Sequence, residues 1–245
     1  MLAGNADVAA LARRAPRLAG FDAQPLTLSG VELLQLSYEL GGGPPESFFP
    51  PALLPTLPVL AVLALWKVSE GPLGPFTLAQ LRLTCRSGVR PRQLLLASFA
   101  EGEPARAALN EHFAFGAQQA RVRVERFYDR VEGSVSLGGE TLLDVRALGP
   151  LPLAVGDLQF FSSMHPAQTP QGLRLVQVDA DLDVTRAERA LPEVSRFDAA
   201  AFGAPGATLA WPVAAAVALA DVTLPRVRFV CRADAHAFAG TERVS

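Results

Sequence analysis

Amine chemistry in this chain depends on one side chain, because Lys67 is the only lysine among the 22 lysines and arginines. A neutral lysine amine can attack a ketone and form an imine, which draws electrons away from an adjacent bond. Lys67 follows the apolar residues 59–66. We expect it near a strand end and exposed to solvent, as most lysines are. The alternative is a nucleophile whose side chain points into the protein interior.

The other ionisable candidates are sparse. Glu111 and His112 are neighbours and could act as general acid and base, although packing at a helix end is the simpler interpretation. We expect His165 in a turn before Pro166, and His236 near the C-terminus, on the surface. Three isolated histidines without HxxxH or CxxC spacing predict no metal site, and we expect no cofactor because no nucleotide-binding motif occurs.

Composition narrows the class of protein. The chain has 245 residues, of which 50% are hydrophobic and 19% charged, as in globular proteins with a large core. The net charge is -2 with scattered arginines, so nucleic acid is not an expected partner. Cys85 and Cys231 lack metal or redox spacing and fit buried thiols of a reduced, cytoplasmic protein. No signal peptide or membrane helix is predicted, since the apolar residues 51–66 are too few and contain prolines.

The periodicity predicts a β-rich α+β protein in one domain, residues 1–245, with a helical extension at residues 1–20. In residues 76–86, Leu81, Leu83 and Cys85 alternate with Arg82, Thr84 and Arg86, which predicts a half-buried strand. The other predicted segments are helices at 7–18, 104–113 and 212–219, strands at 31–40, 59–68 and 222–232, and hairpins at 121–137 and 158–184. We expect a barrel or stacked antiparallel sheets.

Three segments resemble the acetoacetate decarboxylase family. Residues 220–226 read ADVTLPR, similar to the family's closing strand, and residues 74–78 read GPFTL, similar to its Gly-x-Tyr-x-Glu turn. Residues 107–119 read AALNEHFAFGAQQ where the family has Gly-Arg-Glu and then Pro-Lys-Lys. Their order and spacing fit over residues 25–235. The resemblance implies the family's β-rich fold and a homo-oligomer.

The resemblance also places the catalytic positions. The family forms an imine on a lysine whose amine is kept neutral by burial and a neighbouring cation, and acetoacetate decarboxylase is a standard example of that device. Carried onto this chain, the nucleophile falls on Gln118 and its cationic neighbour on Gln119. The pocket glutamate falls on Leu78 and the substrate-binding arginine on Val31. A carboxamide nitrogen is delocalised into its carbonyl and forms no imine.

These replacements predict a protein that has lost Schiff-base decarboxylation and binds a small apolar or carbonyl-bearing molecule. The expected ligand-binding residues are Gln118, Gln119, Leu78, Phe76, Phe115 and Val31. One alternative is a lyase for a small oxo acid with a changed mechanism that uses Lys67 or Glu111 and His112. Another is a non-catalytic structural subunit of a homo-oligomer.

Overall fold

The computed structural model describes residues 3–236 and 239–244, which form two α-helices and 15 strands. The helices are α1 (Val8–Arg14) and α2 (Glu103–Phe113). The strands are β1 (Leu26–Gly41), β2 (Leu54–Pro55), β3 (Leu60–Val68), β4 (Phe76–Ser87), β5 (Arg90–Glu101), β6 (Gln118–Gln119), β7 (Arg121–Arg126), β8 (Arg130–Leu137), β9 (Glu140–Pro152), β10 (Ser163–Thr169), β11 (Gly172–Val178), β12 (Asp181–Phe197), β13 (Thr208–Leu224), β14 (Phe229–Cys231) and β15 (Thr241–Arg243). The predicted β-rich α+β class is confirmed.

The strands pair into one sheet in the order β15-β14-β11-β10-β5-β4-β3-β1-β13-β12-β9-β8-β7, with β2 beside β4 and β6 beside β5. The pairs that β5 makes with β10 and β6 are parallel, and the other strand pairs are antiparallel. Along the described residues this path of strands does not close into a barrel. The meanders β3-β4-β5 and β7-β8-β9 follow chain order because short turns can join only antiparallel neighbours.

The sheet curls until β7 lies against β4 and β5, and side chains hold it there. Thr77 in β4 donates its hydroxyl to the carbonyl of Val122 at 2.9 Å. The Val122 N–H in turn donates to the carboxylate of Glu101, at the end of β5, at 3.0 Å. These contacts satisfy backbone groups that would otherwise lack partners at a sheet edge.

The curled sheet encloses a first apolar cluster, the inner core, to which β3, β4, β7, β8 and β9 all contribute. Its centre is tightly filled. A Cβ atom added to Gly133 in β8 would lie 2.8 Å from a methyl carbon of Leu65 and 2.9 Å from one of Leu34. The interior of the curl is therefore packed with side chains, and it leaves no room for a ligand at this point.

The opposite face of the sheet carries a second cluster, the outer core, which includes Val31, Trp66, Leu78 and Val222. Helix α2 covers part of it with Ala105, Leu109 and Phe113, which are fully buried. The connection from β9 to β10, residues 153–162, covers another part. A hydrogen bond of 3.2 Å from the Gln35 side chain to the carbonyl of Gln159 fastens this connection to β1.

Several sequence predictions are confirmed and one helix is wrong. Helix α2 and the β7-β8 hairpin lie where the pattern placed them. Residues 212–219 form the middle of β13, although their alanines favour a helix. Pairing with β1 on one side and β12 on the other outweighs that intrinsic propensity.

The burial of three polar positions also differs from the prediction. Arg82 and Thr84 are buried, with only Arg86 of the alternating set exposed, because β4 is a central strand with cores on both faces. His165 is 3% exposed instead of lying on the surface, since it belongs to β10 and the turn of that hairpin comes later, between Thr169 and Gly172. His236 is exposed, and both cysteines are buried free thiols.

Candidate functional site

A cavity of about 50 Å³, here called the Arg82 cavity, lies between the outer core and the end of the β9-β10 connection. Its walls are mostly apolar and include four aromatic side chains, and one cationic side chain reaches it. The residues that line the cavity include Trp66, Arg82, Phe115, Phe160, Phe161 and Ser163. A space of this size holds a small polar group or a few waters.

Strand alternation brings polar side chains to this cavity. Leu81, Leu83 and Cys85 of β4 face the inner core, so the residues between them face the outer core. Gln80 and Arg82 are therefore buried, with 1% and 7% of their surface exposed. Central strands of this kind rarely carry such groups without a purpose or a partner.

Arg82 is a buried cation that has no carboxylate partner among the described residues. Its Nε donates to the side-chain oxygen of Gln80 at 2.9 Å, and Nη2 donates to the same oxygen. The guanidinium lies 5.9 Å from the ring centre of Trp66, within range of a cation–π contact. Burial lowers the pKa of Arg82 to about 10, which still leaves it charged at neutral pH.

His165 lies close to this cation and is held as a neutral ring. Its Nε2 is 2.7 Å from the carbonyl oxygen of Phe113, so Nε2 carries the proton and donates. Nδ1 is then an acceptor, and it has no hydrogen-bond partner within residues 3–236 and 239–244. Burial, reinforced by the charge of Arg82, lowers the pKa of His165 to about 4, against an opposing contribution from the bond to Phe113. The ring packs edge-on to Phe115, with centroids 5.4 Å apart.

A larger depression, here called the side groove, adjoins the Arg82 cavity. It has a volume of about 290 Å³ and runs between β1, β13 and the β9-β10 connection. Leu60, Val62, Leu158 and Val213 give it apolar walls. Phe161 lines both spaces and forms the wall between them.

Four of the ligand-binding positions predicted from sequence come together in the outer core. Val31, Phe76, Leu78 and Phe115 are all buried there. Phe115 is the member of this set that lines the Arg82 cavity. Val31 and Leu78, onto which the sequence resemblance carries the family's charged positions, thus lie inside packed apolar surroundings.

Gln118 and Gln119 lie elsewhere. Both are exposed in the short strand β6, where they pair with Phe99 and Ala100 of β5. Adjacent strand residues point to opposite faces, so the two amides do not converge on one ligand within this chain. Asn110 holds the preceding loop, because its side chain donates to the carbonyl of Ala117 at 3.0 Å and accepts from the N–H of Ala117 at 2.6 Å.

The remaining candidates are at the surface. Lys67 is exposed and follows Trp66 in β3, so it points to the face opposite the Arg82 cavity. Glu111 is exposed and His112 half-buried near the end of α2. Sequence reasoning missed Gln80, Arg82 and His165. The sequence contained one signal for these residues: polar side chains interrupt otherwise apolar segments. The structure shows that these segments pair with strands on both sides.

Comparisons with known proteins identify the fold. No protein-family model matches the chain, and no curated protein matches it either. Among solved structures, an acetoacetate decarboxylase superimposes with a TM-score of 0.75 and 18% identity over 84% of this chain and 89% of that one. The chain has the acetoacetate decarboxylase fold.

Two further structures share the acetoacetate decarboxylase fold with it. The acetoacetate decarboxylase of Legionella pneumophila has a TM-score of 0.71 and 15% identity over 92% of this chain and 97% of that one. The enduracididine biosynthesis enzyme MppR, complexed with the condensation product of pyruvate and imidazole 4-carboxaldehyde, gives 0.66 and 18% over 84% and 89%. The resemblance found in the sequence is thus confirmed as a likeness of fold. Neither helix of the described residues is long and apolar enough to span a membrane.

Proposed function

We propose that this chain binds a small carbonyl-bearing molecule with an apolar body and does not decarboxylate it through an imine. One observation carries the proposal: the Arg82 cavity is aromatic and cationic, and no lysine faces it. Trp66 lines the cavity, and Lys67 points to the other face of the sheet. Without an amine there is no protonated imine to accept electrons from a breaking carbon–carbon bond.

The relatives support the class of ligand. MppR was captured with pyruvate, a small oxo acid. A cavity with aromatic walls and a few polar groups is the usual form of a small-molecule site. The rival lyase mechanism finds less support, because Glu111 and His112 lie at the exposed end of α2 and neither lines the Arg82 cavity.

Borohydride trapping tests the absence of imine chemistry. The protein is incubated with acetoacetate, reduced with borohydride and measured by intact mass and peptide mapping. We expect no adduct on Lys67, and the Lys67→Arg variant should give the same mass spectrum relative to its own unreacted form. A trapped adduct on Lys67 in the native protein alone would overturn the non-imine part of the proposal.

A thermal-shift screen tests binding itself. A ligand that binds only the folded state raises the melting temperature in proportion to its occupancy. We expect stabilisation by small oxo acids or aromatic carbonyl compounds, and a weaker response in a Phe115→Leu variant, which loses one cavity wall. A screen of both classes with no shift would favour the purely structural role.

A further inference from the structure

We propose that Arg82 anchors the carboxylate of a monocarboxylic acid whose apolar tail occupies the side groove. This inference rests on the proposed function and adds to it the class of ligand and the anchoring residue. The anchor lies on β4, four residues from Leu78, which is where the resemblance places the family's pocket glutamate. It is therefore a new polar group within the fold.

The buried charge of Arg82 favours an anionic ligand. Only 7% of the surface of Arg82 is exposed, yet no acidic side chain of the described residues pairs with it. A charged group removed from water is costly unless a counter-charge or several hydrogen bonds compensate it. Gln80 and the face of Trp66 supply only part of that compensation. An anion in the cavity would complete it.

The hydrogen-bonding geometry of Arg82 favours a carboxylate. A guanidinium has five N–H donors, and Gln80 takes one from Nε and one from Nη2. The Nη1 side is left for a ligand. Two parallel donors on one edge of a guanidinium match the two oxygens of a carboxylate.

The size and polarity of the cavity favour a carboxylate over a phosphate. A space of about 50 Å³ with one cation and walls of Trp66, Phe115 and Phe160 suits a compact monoanion. A phosphate monoester carries nearly two charges and needs more donors than this cavity offers.

The side groove provides the space for the apolar tail of the ligand. It is several times larger than the Arg82 cavity, most of its lining surface is apolar although Asp157 and Arg189 also reach it, and Phe161 lines both spaces. A straight-chain or aryl-substituted acid places its charge at Arg82 and its hydrocarbon along Leu60 and Val213. A ligand that spans both spaces passes Phe161, which lines each of them.

Calorimetric titration with octanoate and with octanamide, its neutral counterpart, tests the anchor. We expect octanoate to bind the native protein at least tenfold more tightly than octanamide, the usual gain from a charge-assisted pair. Arg82→Met should remove that preference and leave octanamide binding within about twofold. Arg82→Lys, which keeps the charge but not the paired donors, should fall between them. Arg86→Met, an exposed arginine on the same strand, is the matched control and should bind as the native protein does.

Each outcome decides a different point. Octanoate binding that is unchanged in Arg82→Met, with a normal melting curve, overturns the anchor but leaves the proposed function standing. Failure of both octanoate and octanamide to bind the native protein overturns the inference, and stabilisation by a small oxo acid in the thermal-shift screen would then leave the proposed function standing. A series from butanoate to octanoate tests the groove, because each buried methylene should strengthen binding by roughly two- to fourfold. Equal affinity along the series would exclude the groove as the tail site.

Discussion

At the scale of single residues, the chemistry depends on which polar groups are buried without a full set of partners. His165 illustrates this, because its ring is buried in β10, donates to the carbonyl of Phe113 and leaves Nδ1 without a partner among the described residues. Its neutral state is a consequence of burial and of the nearby charge of Arg82. A buried neutral histidine links the stability of the fold to pH.

The pH dependence follows from the direction of the His165 shift. The pKa falls from 6.5 to about 4 on folding. Below pH 6.5 the unfolded chain therefore binds a proton that the folded chain does not, and stability is lost as the pH falls towards 4. The loss amounts to about 3 kcal/mol over this interval. Above pH 6.5 this contribution is complete.

A His165→Gln variant isolates this contribution, since Gln keeps a donor for the Phe113 carbonyl but does not titrate. Urea unfolding of both proteins at several pH values between 7 and 4.5 is the measurement. We expect the native protein to lose about 2 kcal/mol more than the variant over that range. Carboxylates titrate in both proteins and cancel in the difference. Identical pH profiles would show that His165 is not buried in its neutral form.

At the scale of elements, β4 is unusual because it is buried on both faces and still carries a polar pair of side chains. Its inner face is apolar from Ala79 to Cys85, and its outer face places Gln80 and Arg82 beside Trp66. An element buried on both faces is normally hydrophobic throughout. The polar pair therefore lowers the stability of the unliganded protein, a cost that binding sites commonly carry.

Replacing the pair tests that cost. In the double variant Gln80→Leu with Arg82→Met, both partners become apolar, and the buried Ser98 hydroxyl loses the 3.5 Å hydrogen bond that the Gln80 amide donates to it. We expect the unliganded protein to gain about 1–4 kcal/mol in unfolding free energy, as other buried charged groups do when exchanged for apolar ones. Arg86→Met should change it by less than about 0.5 kcal/mol. Chemical denaturation measures both, and a marked destabilisation of the double variant would mean that the pair is structural.

At the scale of the whole molecule, self-association remains a prediction from the family resemblance. The exposed apolar side chains give it a location. Leu151, Leu191 and Trp211 lie on β9, β12 and β13, which are adjacent in the sheet, and Leu191 and Trp211 are 71% and 70% exposed. Apolar groups gathered on one region of a surface commonly mark an interface.

Light scattering tests this prediction directly. We expect a mass that is a multiple of the 25.9 kDa chain, because the apolar side chains become buried between copies. Trp211→Ser should shift the equilibrium towards the single chain. Val89→Ser changes an exposed apolar residue in the turn between β4 and β5, which β3 and β1 separate from β13 in the sheet order, and should not. A monomeric native protein at all concentrations would contradict the prediction.

Much of the architecture could be predicted from the chain alone. The apolar run of β3 and the alternating patterns in β4 and the β7-β8 hairpin identify strands because these patterns are local properties of the sequence. The helix α2 is equally local, since its composition and length suffice. The lone lysine and the glutamines at 118 and 119 already argued against imine chemistry, because a missing functional group is visible in the sequence.

Only the tertiary structure decided which residues share a site. β13 is a strand because β1 and β12 both pair with it, and those pairings join residues far apart in the chain. Arg82 and His165 were expected at the surface, yet β4 is central and β10 pairs beside β5. A periodic pattern reports that a strand has two faces. Whether the second face meets water or another layer depends on segments elsewhere in the chain, here α2 and residues 153–162.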